Sequence, residues 1–427
     1  MKPTRPASVS LLIRILDQKQ TLDEALAQDE LFDRLEGSDR GFARIIVSET
    51  LRQLGQIDAL LSRFVTGRPF DELDAEVKHI LRIGAAQICL LQTPLHAAVS
   101  ETVDAARAFE ASRRAGGLIN AVLRKITPKS LSEMDLPARS AWPNSFARLL
   151  ETELGEEVAE SVAAAMMQTP PLDLTMKSDA EVWADRLGGA RIGPQTVRLG
   201  SGVVDSLPGY DAGDWWVQDV AATLPVHLLA PSRGERILDL CAAPGGKTLQ
   251  IAASGAHTTA VDRSAKRLRL VSANLDRTGL EAQTFAADAT KWESMVRYDG
   301  VLIDAPCSAL GTLRRHPEGP WIKSISDLAR FPTIQARLLE SAAQRVKKGG
   351  RMVYCVCTPM PREGKAIVDG FLKAHPDWVR EDVAAEEAGD FASAITPEGD
   401  LLTLPALFAE RGGCDIFYIA RLRQRAG

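Results

Sequence analysis

The sequence predicts a multidomain chain: an all-α N-terminal domain, a small α+β connecting subdomain and an α/β C-terminal domain. Three observations predict it. Residues 7–127 repeat apolar positions every three or four residues with no strand-like alternation. Residues 128–145 carry three prolines and little periodicity. Beyond residue 235, short β-rich runs alternate with amphipathic helices, the pattern of a parallel sheet covered on both faces. The expected domains are residues 1–130, 131–215 and 216–427 of the 427-residue chain.

In the first domain the helical stripes include Leu11, Leu12, Ile15 and Leu16, then Phe42, Ile45 and Ile46, then Val77, Ile80, Leu81, Ile88 and Leu91. Breaks fall at Gly37-Ser38-Asp39, Gly67-Arg68-Pro69, Thr93-Pro94 and Gly116-Gly117, so six to eight short helices are expected. A single helix is expected over 146–167, before Thr169-Pro170-Pro171 and a mixed stretch to about 215. In the C-terminal domain, strands are expected at 235–240, 257–262, 299–304 and 351–356, with another ending at Asp288. Helices are expected at 247–254, 264–278, 325–346 and 361–374. Ligands of such sheets bind at the carboxyl ends of the strands.

Composition narrows the class. Hydrophobic residues make up 45% and charged residues 25%, as in ordinary globular proteins. No apolar run approaches the roughly 20 residues of a membrane span, and no signal peptide is evident, so a cytoplasmic protein without membrane contact is expected. Six cysteines, at 89, 241, 307, 355, 357 and 414, are too few for a disulfide scaffold and read as free thiols. The net charge of −5 hides an uneven distribution. Residues 1–130 carry 18 basic and 17 acidic side chains (+1), residues 131–230 carry 6 and 15 (−9), and residues 231–427 carry 27 and 24 (+3). An acidic middle therefore masks two near-neutral ends, leaving room for a local basic face. Six histidines and no Cys/His ligand spacing suggest no metal.

The strand 235–240 runs into Asp239-Leu240-Cys241-Ala242-Ala243-Pro244-Gly245-Gly246-Lys247-Thr248. Adjacent glycines between a strand and a helix let backbone approach a ligand closely. A nucleotide P-loop would need glycine at position 241, which is cysteine, so a triphosphate enzyme is disfavoured. Asp262 ends the next strand, where a carboxylate can accept from ribose hydroxyls, and Asp288 could accept from an adenine amino group. Singly, each acid also reads as a turn or cap residue. On successive strand ends they read as an adenosine-type cofactor site.

Asp304-Ala305-Pro306-Cys307-Ser308 and Tyr354-Cys355-Val356-Cys357-Thr358 follow two further strands, and their adjacency brings two thiols together. Methylation of a pyrimidine at C5 needs this set. That carbon is a poor nucleophile until a thiolate adds to C6, and a thiol near its ordinary pKa of about 8.5 needs an electropositive site to ionise. Asp304 suits contact with ring N3 and the exocyclic amine, and a second thiol can assist release. Spacing alone does not say which cysteine attacks. Arg314, Arg315 and His316 follow directly and suit phosphate contacts.

The segments ILDLCAAPGGKT, DAPCSALGTLRRHPE, VYCVCT and GGCDIFYIARL resemble the Sun/Fmu-type RNA cytosine-C5 methyltransferases. DRGFARIIVSETLRQLGQIDALL, HILRIGAAQICLL, PLHAAVSETVDAAR and GLINAVLRKI resemble the NusB-like helical domain of the bacterial RsmB branch. The resemblance spans essentially the whole chain. It implies a NusB-like RNA-binding domain followed by a Rossmann-like methyltransferase domain that uses S-adenosylmethionine. It implies that Cys241, Ala242, Ala243, Pro244, Gly245, Gly246 and Lys247 surround the cofactor, with Asp262, Asp288 and Asp304 completing the cofactor and base site. It implies Cys357 as nucleophile and Cys307 as the residue aiding product release. The implied substrate is 16S ribosomal RNA, with its target cytosine unstacked, and the implied state is a monomer without metal.

Five positions depart from the family pattern: Thr175, Leu310, Cys355, Val356 and Ile416. Val356 and Ile416 leave a catalytically idle RNA-binding assembly factor in view, and a transfer-RNA substrate, which would use the same chemistry, is the other alternative.

Overall fold

The computed structural model describes residues 3–407 and 409–425. They form two compact units. The first runs to Gln168 and also takes in Leu313–Ile325; the second comprises Thr169–Thr312 and the chain from Ser326 onward.

The first unit is helical. Its longer helices are Thr4–Leu12, Gly37–Arg52, Leu54–Phe64, Ala75–Cys89, Leu95–Ala105, Asn144–Leu154 and Glu156–Met166. The sequence breaks turn out to be starts: Gly37 and Gly116 open helices, and Pro94 precedes Leu95–Ala105. Leu11, Ile15, Ile46, Leu54, Ile57, Ile80 and Ile88 form its core with no exposed surface. The helix Leu22–Gln28 begins in a capping box, with Thr21 accepting from the Glu24 amide and Glu24 accepting from the Thr21 amide. The single helix expected over 146–167 is two, because Gly155 takes φ +82° between them. Both belong to this unit, which therefore continues well past residue 130.

Leu313–Ile325 completes the same unit. Trp321 and Ile322 pack on its core, Glu318 accepts from the Leu22 amide at 3.2 Å, and the Arg52 guanidinium donates to the Arg314 carbonyl at 2.7 Å.

The second unit opens with an antiparallel sheet of β1 (Leu172–Met176), β2 (Ala190–Arg191), β3 (Thr196–Leu199) and β4 (Trp215–Val217), in the order β2-β3-β1-β4. A larger sheet holds β5 (Arg236–Leu240), β6 (His257–Asp262), β7 (Gln283–Ala286), β8 (Tyr298–Asp304), β9 (Val346–Val356), β10 (Trp378–Arg380), β11 (Leu401–Leu402) and β12 (Tyr418–Gln424). Its main order is β10-β12-β9-β8-β5-β6-β7, and β11 pairs with β12. From β9 to β7 the pairing is parallel. Leu238, Leu240, Val261, Val301, Leu302, Ile303, Val353 and Tyr354 are fully buried, as strands covered on both faces require. β10 and β12 are antiparallel additions, so the sheet is mixed. An apolar strand pattern carries no information about strand direction, which is why only the parallel part was foreseen.

The helix expected over 325–346 is two, Ile325–Leu328 and Phe331–Ala343, with Pro332 in the first turn of the second, and the one expected over 361–374 starts later, at Lys365, after Gly364, where a Cβ would lie 2.8 Å from the Tyr418 ring.

Candidate active site

The loop after β5 is shaped by its backbone. Cys241 takes φ +62° and Gly245 φ +112°. A Cβ at Gly245 would come within 3.2 Å of Val271, so only glycine fits without displacement. Asp262, at the end of β6, accepts from the Ala243 amide at 3.1 Å and from the Ser264 amide at 2.8 Å, tying the loop to the neighbouring strand. Arg267 donates to the Ala243 carbonyl. Beneath the loop, Asp239 is wholly buried and accepts from the Thr248 hydroxyl at 2.6 Å; burial pushes its carboxyl up to about 7.

The opening of the helix Gly246–Ala253 aims Lys247 at β8, where its ammonium donates to Asp304 Oδ2 at 2.8 Å. It also lies 4.9 Å from the centre of the Phe417 ring. Burial works against the Lys247 charge, but Asp304 outweighs it and holds the ammonium above its ordinary range. Parallel pairing of β8 with β9 sets Asp304 opposite Cys355, whose thiol donates to Asp304 Oδ1 at 3.5 Å. Burial and then the Asp304 charge push the Cys355 thiol up, so it stays protonated.

One turn beyond these strand ends, Cys307 and Cys357 meet with their sulfurs 3.3 Å apart. The two loops are stitched together. Ala305 donates to the Cys355 carbonyl at 3.0 Å, Ser308 Oγ to Thr358 Oγ1 at 2.8 Å, and Gly311 to the Cys357 carbonyl at 2.9 Å. The bond to Cys357, then burial, push the Cys307 thiol well up, so it too stays protonated.

The structure thus brings Cys241 to Lys247, Asp262, Asp304, Cys307 and Cys357 together at the carboxyl ends of β5, β6, β8 and β9. Asp288 lies two residues past the end of β7, exposed, with Oδ1 accepting from the Thr290 amide and hydroxyl. These bonds hold its carboxylate below the usual range. Of Arg314, Arg315 and His316, only Arg314 is placed against the expectation of a phosphate contact. Arg314 is 1% exposed and Arg315 half-buried, because their segment is part of the helical unit's core; His316, exposed, lies 3.7 Å from Glu318. Of the atypical positions, Leu310, Val356 and Ile416 are buried apolar residues, and Thr175 is buried in β1. The Lys247–Asp304 pair and the anchoring acid Asp239 were not foreseen as such. Their signal is the spacing of charged residues at the ends of neighbouring strands, visible only once strand order is known. Among the described residues no group of His, Cys, Asp and Glu could hold a metal ion. A cleft of about 940 Å³ lined by Arg236, His257 and Gln283 contains none of these site residues.

Two family models match parts of the chain: the family described as 16S rRNA methyltransferase RsmB/F over residues 226–423, and the NusB family over residues 2–128. Ribosomal RNA small subunit methyltransferase B of Pseudomonas syringae pv. tomato is 33% identical, over 98% of this chain and 96% of that protein. Its Xylella fastidiosa counterpart is also 33% identical, over 98% and 97%. Among solved structures, the crystal structure of PH0851 superposes with a TM-score of 0.76 at 21% identity over 99% of both chains. NSun6 from Pyrococcus horikoshii with SFG gives 0.57 at 16% identity, over 66% of this chain and 98% of that one. At these identities the structural likeness speaks for the fold.

Proposed function

The chain belongs to the RsmB/F family of 16S rRNA methyltransferases, and from that premise we propose that it methylates C5 of a cytosine in small-subunit ribosomal RNA through a transient Cys357–C6 bond. Methyl transfer from S-adenosylmethionine to ribosomal RNA is the family's reaction; the carbon and the covalent path are the inference. The observation that carries it is the 3.3 Å pairing of Cys307 with Cys357 beside the Lys247–Asp304 ion pair.

The residues present fit the cofactor. The strained Cys241–Gly246 turn offers backbone at close range, and Asp262 and Asp288 keep lone pairs beyond their loop bonds for hydroxyl and amino donors. Bound there, S-adenosylmethionine supplies an electrophilic methyl group. The protein's task is to make C5 nucleophilic. Cys357 as thiolate forms a bond to C6, and the displaced electron pair moves into the ring toward N3. As that pair arrives, N3 takes a proton from the Lys247 ammonium by way of Asp304, which faces that edge, and gives it back by the same route when the ring double bond is restored. After C5 is methylated, its proton passes to solvent water, the C5–H electron pair restores the C5–C6 double bond, and the S–C6 pair returns to sulfur. Cys307, kept protonated, donates a hydrogen bond to that departing sulfur.

RNA containing 5-fluorocytidine tests this, because fluorine at C5 blocks the last elimination. Wild-type protein with cofactor is expected to remain joined to such RNA through denaturing electrophoresis. Cys357→Ala abolishes the adduct, whereas Cys307→Ala keeps it and also traps ordinary RNA. An adduct that survives in Cys357→Ala and disappears in Cys307→Ala reverses the roles. Methylation of isolated 16S RNA but not of bulk transfer RNA is the expected preference.

A further inference from the structure

We propose that Glu363 is a positioning residue for release: it clamps the Pro306–Ser308 turn so that Cys307 sits over Cys357. The proposal rests on the role assigned above to Cys307.

Glu363 lies between β9 and the helix Lys365–Ala374, far from the cofactor loop in sequence, and is wholly buried. A buried carboxylate is costly unless its oxygens are bonded. One oxygen of Glu363, Oε2, accepts from the Ser308 amide at 2.8 Å and from Gln335 Nε2 at 3.1 Å. The same Gln335 nitrogen donates to the Pro306 carbonyl at 3.0 Å. The turn carrying Cys307 is therefore gripped on both sides of that residue, at 306 and at 308. Gln335 is itself wholly buried on the helix Phe331–Ala343. The clamp is fixed in turn: the Tyr354 hydroxyl donates to the Glu363 carbonyl at 2.6 Å from within β9, and Tyr418 packs against Gly364.

The bonds that this device makes to the two thiol-bearing turns fall on the Cys307 turn, at the Pro306 carbonyl and the Ser308 amide, and the Cys357 turn is reached through the Ser308–Thr358 hydroxyl bond and the Gly311 amide. Glu363 thus bears directly on the turn of Cys307 and only indirectly on that of Cys357. Its second oxygen, Oε1, is buried without a hydrogen-bond partner among the described residues, so all of the side chain's bonding is spent through Oε2 on the Ser308 amide and Gln335. The Cys357 bond and burial keep the thiol so held, Cys307, protonated. A protonated thiol aimed at the partner sulfur is the form that assists departure and does not compete as nucleophile.

The test uses the full-length protein, S-adenosylmethionine and transcribed 16S RNA with ordinary cytidine. It measures methyl transfer in the first turnover, steady-state turnover and covalent complex on denaturing gels. Glu363→Ala is expected to transfer the first methyl at close to the wild-type rate. Its release is expected to slow by about tenfold to a hundredfold, the effect of one lost charge-assisted hydrogen bond, so covalent complex accumulates as in Cys307→Ala. Glu363→Gln, whose amide oxygen can accept both bonds, restores release to within a few-fold. Gln335→Leu shows the same stall in weaker form and decides the matter if Glu363→Ala does not fold. Wild-type release in Glu363→Ala or Gln335→Leu, while Cys307→Ala still stalls, overturns this proposal alone. Loss of first-turnover transfer together with cofactor binding, unrescued by Glu363→Gln, overturns it in favour of a general structural role. If Cys307→Ala does not stall, the assigned role of Cys307 falls, and the clamp's role in release falls with it.

Discussion

Asp239 holds a proton at a pH where an exposed aspartate has lost it. Its folded value of about 7 lies above the ordinary 3.8, so between those values the folded chain binds more proton than the unfolded one. Stability attributable to this group therefore falls as pH rises through that window, by at most about 4 kcal/mol. Asp239→Asn keeps an acceptor for Thr248 and removes the titration; urea midpoints at pH 5 and pH 8 should converge for the variant relative to wild type, and a wild-type midpoint rising with pH through this group would contradict the assignment. Lys247→Met leaves Asp304 without its cation. Single-turnover methyl transfer should drop by at least about a hundredfold, as loss of an electrostatic stabiliser does. At this scale Cys307, Cys357, Asp262 and Asp304 were legible, because each sits in a motif whose residue types make sense together. The Lys247–Asp304 contact was not, since it joins positions on different strands and depends on the β5–β8 pairing. Arg314 was misread because charge alone says nothing about which core will recruit its neighbours.

Gly311 threads between two elements. Its amide donates to the Cys357 carbonyl, its carbonyl accepts from Ile416, and an added Cβ would lie 2.3 Å from the Ile416 carbonyl oxygen. Backbone cannot yield there as a flexible side chain would, so Gly311→Ala should shift the Cys357 turn and abolish the 5-fluorocytidine adduct while S-adenosylmethionine binding, followed by calorimetry, persists. The capping box at Thr21 is an independent element; Thr21→Ala should cost about 1 kcal/mol in thermal or urea unfolding of the helical unit. Elements with strong periodicity were read correctly, including the alternation from β5 to β9. Boundaries were lost where a glycine or proline outweighed the apolar stripe, at Gly155 and Pro332. The reversed direction of β12 is decided by pairing with β9, whose partners lie 62 and 64 residues earlier in the register of Tyr418 with Val356 and Ile419 with Cys355.

The helical unit is built from two stretches of chain, and its later piece comes from deep within the methyltransferase sequence. A fragment ending at Gln168 lacks Trp321, Ile322 and Glu318, and should melt below the intact unit. A peptide of residues 313–325 added in trans should raise that melting temperature; no shift would mean the segment merely rests on a finished fold. The NusB-like half was recognisable from sequence, yet its completion by residues 313–325 was not, because a short loop with two arginines carries no periodic mark of the core it joins. The same feature has a consequence during synthesis. At bacterial elongation speeds the ribosome needs roughly 10–30 s to travel from Gln168 to Ile325, and for that interval the nascent amino-terminal half waits on the polysome with part of its interior wet. Its final consolidation is thereby timed to follow translation of the loop that bears Cys307.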